Sequence, residues 1–177
     1  LLVAANERTV RLWDVGQRLT TQQLAFATSG EVRDVQFSSH VTTRFAAALE
    51  NGMVQVFDVR SNRQHLLQLQ AHQGPIYCVE WHPEQRGVLA TGGRDRAIKV
   101  WDVDTVVGGA VSGGSASNAA GIGAQPAPSS HTHAVLTLAA VARVKWRPGG
   151  GQDQRWQLAS CAGAYDYQPH IWDVRRP

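Results

Sequence analysis

An internal repeat is the feature that most constrains the fold of this chain. Four segments end alike, each in an aromatic residue, and the aromatic residues Trp13, Phe57, Trp101 and Trp172 are each followed by Asp. The first two intervals are 44 residues long and the third is 71. An uncharged tract rich in Gly, Ala, Ser and Pro, from Gly108 to Ser130, accounts for the longer interval. A fixed period in this range predicts a repeat architecture.

Each repeat reads as four short strands. Alternating apolar and polar residues predict strands, followed by short apolar runs and by turns rich in Gly, Asn and Asp. The alternating segments are 32–37, 76–81 and 141–146, the apolar runs are 45–48, 88–91 and 157–160, and further strands at 64–70 and 132–138 complete the units. Four strands in about 44 residues is the period of a propeller blade, so we predict an all-β propeller of antiparallel blades.

The repeats also set the predicted domain boundaries. We assign the end of a first blade to 1–15, a second blade to 16–60, a third to 61–104, a flexible insert to 105–131 and a fourth blade to 132–177. These segments contain 14 predicted strands, or about three and a half blades. Propellers close with about 4–8 blades, and an open arc exposes strand edges. We therefore expect 1–177 to be a fragment of a seven-bladed propeller.

The aromatic–Asp pairs resemble the Trp-Asp signature of WD-repeat β-propellers over nearly the whole chain outside the insert. That resemblance implies that a loop His, a strand Thr, a turn Asp and the Trp form a hydrogen-bonded chain within one blade. The third repeat supplies His72, Thr91, Asp95 and Trp101. Donors and acceptors match along such a chain, and leaving one of these groups unpaired in a dry interior costs ~1–3 kcal/mol.

The other repeats depart from this tetrad. The remaining signature residues are Trp13, Asp14, Phe57, Asp58, Asp166, Trp172 and Asp173. At the tetrad positions the second repeat has Thr28, Ala47, Asn51 and Phe57, so it cannot form the network; the fourth has Thr137, Asp166 and Trp172, with a longer turn. We therefore expect the third blade to be the most rigid.

Two chemical alternatives arise from the same residues. His72, Thr91 and Asp95 are the residue types of a nucleophile, base and orienting acid, but they recur as blade residues and a triad needs an exposed cleft. His131 and His133 form a two-histidine cluster, whereas closed metal sites take four ligands. We predict no catalytic residues, no metal site and no cofactor.

Composition excludes several partners. The 17 Lys and Arg residues are scattered and the net charge is +3, so the sequence lacks the basic stripe that nucleic-acid binding needs. Its apolar runs are much shorter than the ~20 residues of a membrane span, so we expect no direct membrane insertion. Cys78 and Cys161 lie in apolar surroundings, which indicates reduced thiols in an intracellular protein.

Several strings are more specific than the WD consensus. Ala142-Arg143-Val144-Lys145-Trp146-Arg147-Pro148 and Trp172-Asp173-Val174-Arg175-Arg176-Pro177 are similar to the propeller of the WD-repeat-containing protein twenty-four family, subunits of the GATOR-two (GATOR2) complex, called SEA in fungi. The resemblance implies a non-catalytic interaction scaffold that positively regulates amino-acid signalling to TORC1. It also implies propeller subunits as partners, and a cytoplasmic protein recruited to the lysosomal or vacuolar surface.

An alternative comes from two arginines. Arg60 and Arg175 follow Phe57-Asp58-Val59 and Trp172-Asp173-Val174, which resembles the box that docks substrate receptors onto cullin-four ubiquitin ligases. The third repeat lacks this Arg, because Asp104 follows Val103 there. A generic WD-repeat scaffold is a further hypothesis for the function. Trp156, Tyr165 and Tyr167 are candidate partner-binding aromatics, although core or edge packing explains them equally well.

Overall fold

The computed structural model describes residues 2–13, 16, 22–61, 64–109, 131–149, 154–163 and 168–175. These residues form four antiparallel sheets. The strands are β1 (Leu2–Asn6), β2 (Thr9–Trp13), β3 (Gln22–Ala27), β4 (Val32–Phe37), β5 (Arg44–Leu49), β6 (Met53–Asp58), β7 (His65–Gln70), β8 (Ile76–Trp81), β9 (Val88–Gly93), β10 (Ala97–Asp102), β11 (His133–Leu136), β12 (Val141–Trp146), β13 (Gln157–Ala162) and β14 (His170–Asp173). The predicted all-β fold of 14 short strands is confirmed.

Strands that are consecutive in the chain are neighbours in each sheet. The orders are β1-β2-β3, β4-β5-β6-β7, β8-β9-β10-β11 and β12-β13-β14, and turns of two or three residues connect β1 to β2, β5 to β6 and β9 to β10. The turn between β5 and β6 requires a glycine, because Gly52 has a φ of +81° and a Cβ there would overlap the backbone carbonyl of His72. Gly52 thereby lets the His72 loop lie directly against the preceding sheet.

The sheets are offset by one strand from the predicted blade boundaries. β3, β7 and β11 lie in the sheets of the preceding repeats, whereas the predicted second, third and fourth blades (16–60, 61–104 and 132–177) each include one of them. Distance along the chain does not explain this pairing, because only four or five residues separate β3, β7 and β11 from the strands that follow them, β4, β8 and β12. By this pairing each repeat closes the sheet of the repeat before it, which interlocks neighbouring blades.

The predicted flexible insert, 105–131, begins instead as a helix. α1 (Val103–Gly109) is capped by the residue before it, Asp102, whose Oδ1 accepts a hydrogen bond from the backbone N–H of Thr105 at 3.1 Å, a side-chain N-cap. Val103 is fully buried, and Val106 and Val107 pack on the core between the second and third sheets. Residues 110–130 of the predicted insert lie outside the described residues.

The hydrophobic cores lie between successive sheets. One cluster joins the first and second sheets, another the second and third, and another the third and fourth. The central strands are therefore buried on both faces, as the unbroken burial of β9 shows. Within the described ranges, no helix is both long and apolar enough to cross a membrane.

Candidate functional site

The third sheet brings the four predicted tetrad residues together. His72 lies in the loop before β8, Thr91 on β9, Asp95 in the turn after β9, and Trp101 on β10. His72 Nδ1 is 2.8 Å from Asp95 Oδ1, and its Nε2 is 2.7 Å from Thr91 Oγ1. The Trp101 indole N–H donates to the same hydroxyl at 3.0 Å. Thr91 is the centre of this network because its oxygen serves both aromatic partners.

The charges in the network follow from burial. Burial lowers the pKa of His72, so the imidazole is neutral near pH 7; its Nδ1–H donates to Asp95 and its Nε2 accepts from Thr91. Partial burial opposes ionisation of Asp95, but the hydrogen bonds from His72 and from the backbone of Gln73, together with the nearby charge of Lys99, hold the pKa of Asp95 below its usual value. Asp95 also accepts the backbone N–H groups of Gln73 at 3.2 Å and Ala97 at 3.3 Å.

This geometry ties strands together and leaves no room for a substrate. Thr91 is fully buried and His72 is 1% exposed, so a substrate has no path to the hydroxyl that would act as the nucleophile. The network spans a loop, a turn and two strands, and it pairs the buried polar side chains of His72, Thr91 and Trp101. The arrangement favours a structural role for the four residues.

Aromatic packing replaces the tetrad in the second sheet. Phe57, at the position of Trp101, stacks on Phe45 with ring centroids 5.0 Å apart, and Phe26 packs edge-on against both rings. Thr28, at the position of His72, donates to the carbonyl of Gly30 at 2.8 Å. In the first sheet Trp13 is half-buried, and its neighbour Asp14 lies outside the described residues.

The fourth sheet keeps only part of the network. The Trp172 indole N–H donates to Ser160 Oγ at 2.8 Å, and Thr137, at the position of His72, donates to the carbonyl of Ala139 at 2.7 Å. Asp166, Tyr165 and Tyr167 lie outside the described residues. Our sequence reasoning missed Ser160 as the counterpart of Thr91. Its spacing could have identified it, because Ser160 lies 12 residues before Trp172 and Thr91 lies 10 residues before Trp101. The two extra residues belong to the longer turn of the fourth repeat.

Arg60 and Arg175, the two arginines on which the ubiquitin-ligase alternative rests, make different side-chain contacts. Arg60 forms a two-pronged contact with Asp58, from Nε to Oδ1 at 3.0 Å and from a terminal nitrogen to Oδ2 at 2.7 Å. Hydrogen bonding from Arg60 lowers the pKa of Asp58 to about 2. Arg175 instead lies over the ring of Trp156, with its guanidinium carbon 5.1 Å from the centroid, and Asp173 accepts its backbone N–H.

Indole groups join successive sheets in a way that the sequence did not reveal. The Trp81 indole N–H donates to the carbonyl of Gln36 in the second sheet at 3.1 Å. Trp146 repeats the contact one sheet later, donating to the carbonyl of Glu80 at 3.2 Å. The side chain of Glu80 is shared, because Gln36 at 2.8 Å and Lys145 at 2.6 Å both donate to its Oε2.

Asp34 forms a second set of contacts between sheets beside Glu80, and the buried His82 forms a third. Asp34 Oδ2 accepts from the backbone N–H of Val79 at 3.0 Å and from Arg143 at 3.2 Å. His82, 1% exposed, has its Nε2 2.6 Å from the carbonyl of Arg155. Its Nδ1 accepts the N–H groups of the turn that follows. These contacts fix the second, third and fourth sheets relative to one another.

The described histidines do not converge on a metal. His131 packs edge-on against Trp101 with centroids 5.8 Å apart, and His133 lies on β11 near Trp156. Among the residues that the structure describes, no three His, Cys, Asp or Glu side chains are grouped so that they could hold a metal ion. Burial raises the pKa of the Cys78 thiol to about 12, which keeps it protonated.

Comparison with known proteins agrees with this architecture. Residues 3–123 match the family described as "Nucleolar protein 10-like, N-terminal domain", a β-propeller family. A chain of a solved structure, the crystal structure of the mitotic checkpoint complex, superimposes with a TM-score of 0.70 at 21% identity, covering 95% of this chain and 42% of that one. At that identity the likeness concerns the fold alone.

Curated relatives are closer in sequence. The zebrafish (Danio rerio) "GATOR2 complex protein WDR24" is 38% identical over all of this chain and 19% of its own length. The human protein of that name is 42% identical over 84% of this chain and 16% of its length, and the Drosophila melanogaster protein is 37% identical over all of this chain and 19% of its length. The chain thus spans less than a fifth of these relatives. It belongs to the WD-repeat β-propeller family described as nucleolar protein 10-like, and within that fold it is similar to the propeller of WDR24.

Proposed function

We propose that this chain is part of a non-catalytic scaffold subunit of a GATOR2-type (SEA-type) complex. The observation that carries the proposal is the 37–42% identity to the GATOR2 complex proteins WDR24 of vertebrates and fly, over 84–100% of the chain. A propeller presents rigid faces and loops to other proteins, and its fold alone assigns no chemistry. The buried tetrad is consistent with this role, because its polar side chains hydrogen-bond to one another and hold the third sheet together.

The role of such a subunit would be to support amino-acid signalling to TORC1. We place the protein in the cytoplasm, recruited to the lysosomal or vacuolar surface through its complex, with propeller subunits as partners and no nucleic acid. We assign partner contacts first to Arg175 and Trp156, because their stacked pair lies partly exposed beside the fourth sheet. Tyr165 and Tyr167, which lie outside the described residues, remain candidate anchors, and Arg60 is 73% exposed despite its ion pair.

Affinity purification of the full-length protein with mass spectrometry tests the assignment. We expect other GATOR2 subunits to be recovered, and fewer of them from a variant lacking residues 1–177. Recovery of the cullin-four linker protein without any GATOR2 subunit would overturn the proposal and favour the ubiquitin-ligase alternative.

The signalling and non-catalytic parts of the proposal have separate tests. Depleting the protein should weaken phosphorylation of TORC1 substrates after amino acids are restored, and re-expression should recover it. An unchanged response would refute the signalling role. Hydrolase activity that copurifies with the protein and is lost in Asp95→Asn, at an unchanged unfolding midpoint, would refute the non-catalytic assignment.

A further inference from the structure

The turn between β9 and β10 carries two arginines, one on each side of the tetrad carboxylate. Asp95 bonds inward to His72, whereas its neighbours Arg94 and Arg96 are exposed. Arg96 has a φ of +61°, in the left-handed region that favours glycine. The corresponding residue of the second sheet is Gly52, with a φ of +81°. Because glycine would relieve the strain at Arg96, folding of the turn does not account for an arginine there.

The side chains of Arg94 and Arg96 have no acidic partner among the described residues. Neither guanidinium forms an ion pair or a side-chain hydrogen bond there. By contrast, Arg33, Arg60 and Arg143 each contact a carboxylate. The turn therefore presents two positive charges that no described residue neutralises, and these charges attract an anionic group of another molecule.

Two exposed leucines lie beside these charges. Thr137, which follows β11, donates to the carbonyl of Arg96 from its backbone N–H at 2.8 Å and from its hydroxyl at 3.0 Å. Its chain neighbours Leu136 and Leu138 are 80% and 89% exposed. Large apolar side chains exposed together are typical of surfaces that meet other proteins. We call Arg94, Arg96, Leu136 and Leu138 the arginine–leucine patch.

The patch belongs to a sheet that has a neighbour on each face. Hydrophobic clusters join the third sheet to the second and to the fourth. Ile171, which is 75% exposed, lies instead on β14 of the fourth sheet, where a further blade would pack in a closed propeller. The exposure of Leu136 and Leu138 is therefore not a consequence of the open arc.

The unneutralised charge is confined to this one turn. The carbonyl of Gly52 accepts backbone N–H groups of the loop 71–75, and that loop accepts the backbone N–H of Arg94, so the β5–β6 and β9–β10 turns lie side by side. In the β5–β6 turn Glu50 already pairs with Arg33. Binding to anionic lipid by charge takes clusters of about four to eight basic residues, and the patch has two. Its size and charge suit a short acidic peptide segment better than a membrane surface.

We propose that the arginine–leucine patch is a docking site for an acidic segment of a partner protein that also carries apolar side chains. The carboxylates of that segment pair with Arg94 and Arg96, and its apolar side chains cover Leu136 and Leu138. Asp95 stays bonded within the tetrad, so the third sheet presents the patch on a preorganised turn. The identity of the partner rests on the proposed scaffold function, whereas the chemistry of the patch does not.

Photo-crosslinking of the full-length protein in cells identifies what covers the patch. The photoreactive residue p-benzoylphenylalanine replaces Leu136 or, as a control, Leu66, which is 38% exposed on β7. Mass spectrometry of the product at Leu136 should identify a protein segment with several Asp or Glu residues beside apolar ones, and the Leu66 product should lack it. A product formed only with lipid, only with a second copy of this protein, or with a segment free of acidic residues overturns the proposal, as does the absence of a product.

A synthetic peptide of the crosslinked segment then measures the contribution of the arginines by fluorescence anisotropy. Replacing Arg94 and Arg96 together by Gln should weaken its binding about two- to thirtyfold, the effect of losing two exposed ion pairs. Arg86→Gln, in the turn at the opposite end of the sheet, is the matched control and should leave the affinity unchanged. Equal affinities for the wild-type protein and the double variant would refute the pairing.

Arg96→Gly separates binding from folding. Glycine relieves the left-handed strain, so the urea midpoint should hold or rise while the affinity for the peptide falls by up to about fivefold. A lower midpoint with unchanged affinity would assign Arg96 to the fold and overturn the proposal. An acidic and apolar segment from a protein outside GATOR2 would support the patch and count against the proposed function, so the two failures are distinguishable.

Discussion

The central position of Thr91 makes Thr91→Val the most informative test of the tetrad. Valine keeps the shape and burial of threonine but removes the hydroxyl. The substitution leaves two groups unpaired, the Nε2 of His72 and the indole N–H of Trp101, which now lie 2.7 and 3.0 Å from Thr91 Oγ1. Each unpaired buried group costs ~1–3 kcal/mol, so we expect the free energy of unfolding to fall by about 2–6 kcal/mol.

Urea denaturation of the full-length protein measures this loss, provided that the slope of the unfolding transition is unchanged. A double-mutant cycle with Trp101→Phe checks the mechanism. In that background the indole donor is already gone, so Thr91→Val should cost about 1–3 kcal/mol, the contribution of His72 alone. A loss below about 0.5 kcal/mol, which is usual for a surface change, or an equal loss in both backgrounds, would refute the reasoning.

Three further substitutions test the sheet contacts separately. Asp95→Ala should lower the free energy of unfolding by ~1–3 kcal/mol because His72 loses its acceptor. The matched control is Asn51→Ala, at the exposed equivalent position in the second sheet, which should lower the free energy of unfolding less. Equal urea midpoints for the two variants would contradict this prediction. Arg60→Gln should raise the pKa of Asp58 from about 2 towards its usual ~3.9, measured by NMR titration. Because the folded pKa is depressed, this stability is present above ~pH 4 and is lost as the pH falls towards 2; an unchanged acid-unfolding curve in Arg60→Gln would contradict the link. Trp146→Phe should cost about 0.5–1.5 kcal/mol by removing its inter-sheet hydrogen bond, and no change in the urea midpoint would argue against that contact.

Much of the tetrad could be anticipated because its members sit at fixed spacings. The register that pairs Thr91 with Lys99 and Trp101 with Leu89 follows from the length of a tight turn, which is visible in the sequence. The fourth sheet was harder, since its turn is longer and Ser160 lies 12 residues from Trp172. Spacing identifies Ser160 only when the two extra residues of that turn are allowed for.

Other features depended on residues that are distant in the chain. Glu80 meets Gln36 and Lys145, which are 44 and 65 residues away, and nothing in the local sequence marks those pairs. The helix Val103–Gly109 escaped notice because it opens a Gly-rich tract, although Asp102 and Thr105 have the spacing of an N-cap. Burial of Val103 against the neighbouring sheets decided in favour of a helix there.

The sequence by itself determined the strands, the repeat and the WD-repeat family, because a strand alternation of two and a period of 44 residues are properties of local residue order. Only the tertiary structure decided that β7 and β11 close the preceding sheets and that indole groups join one sheet to the next. It also decided that Arg96 lies beside the exposed Leu136 and Leu138. The physical reason is that hydrogen bonds between sheets and the filling of space depend on distances between segments far apart in the chain, which a repeat period does not encode.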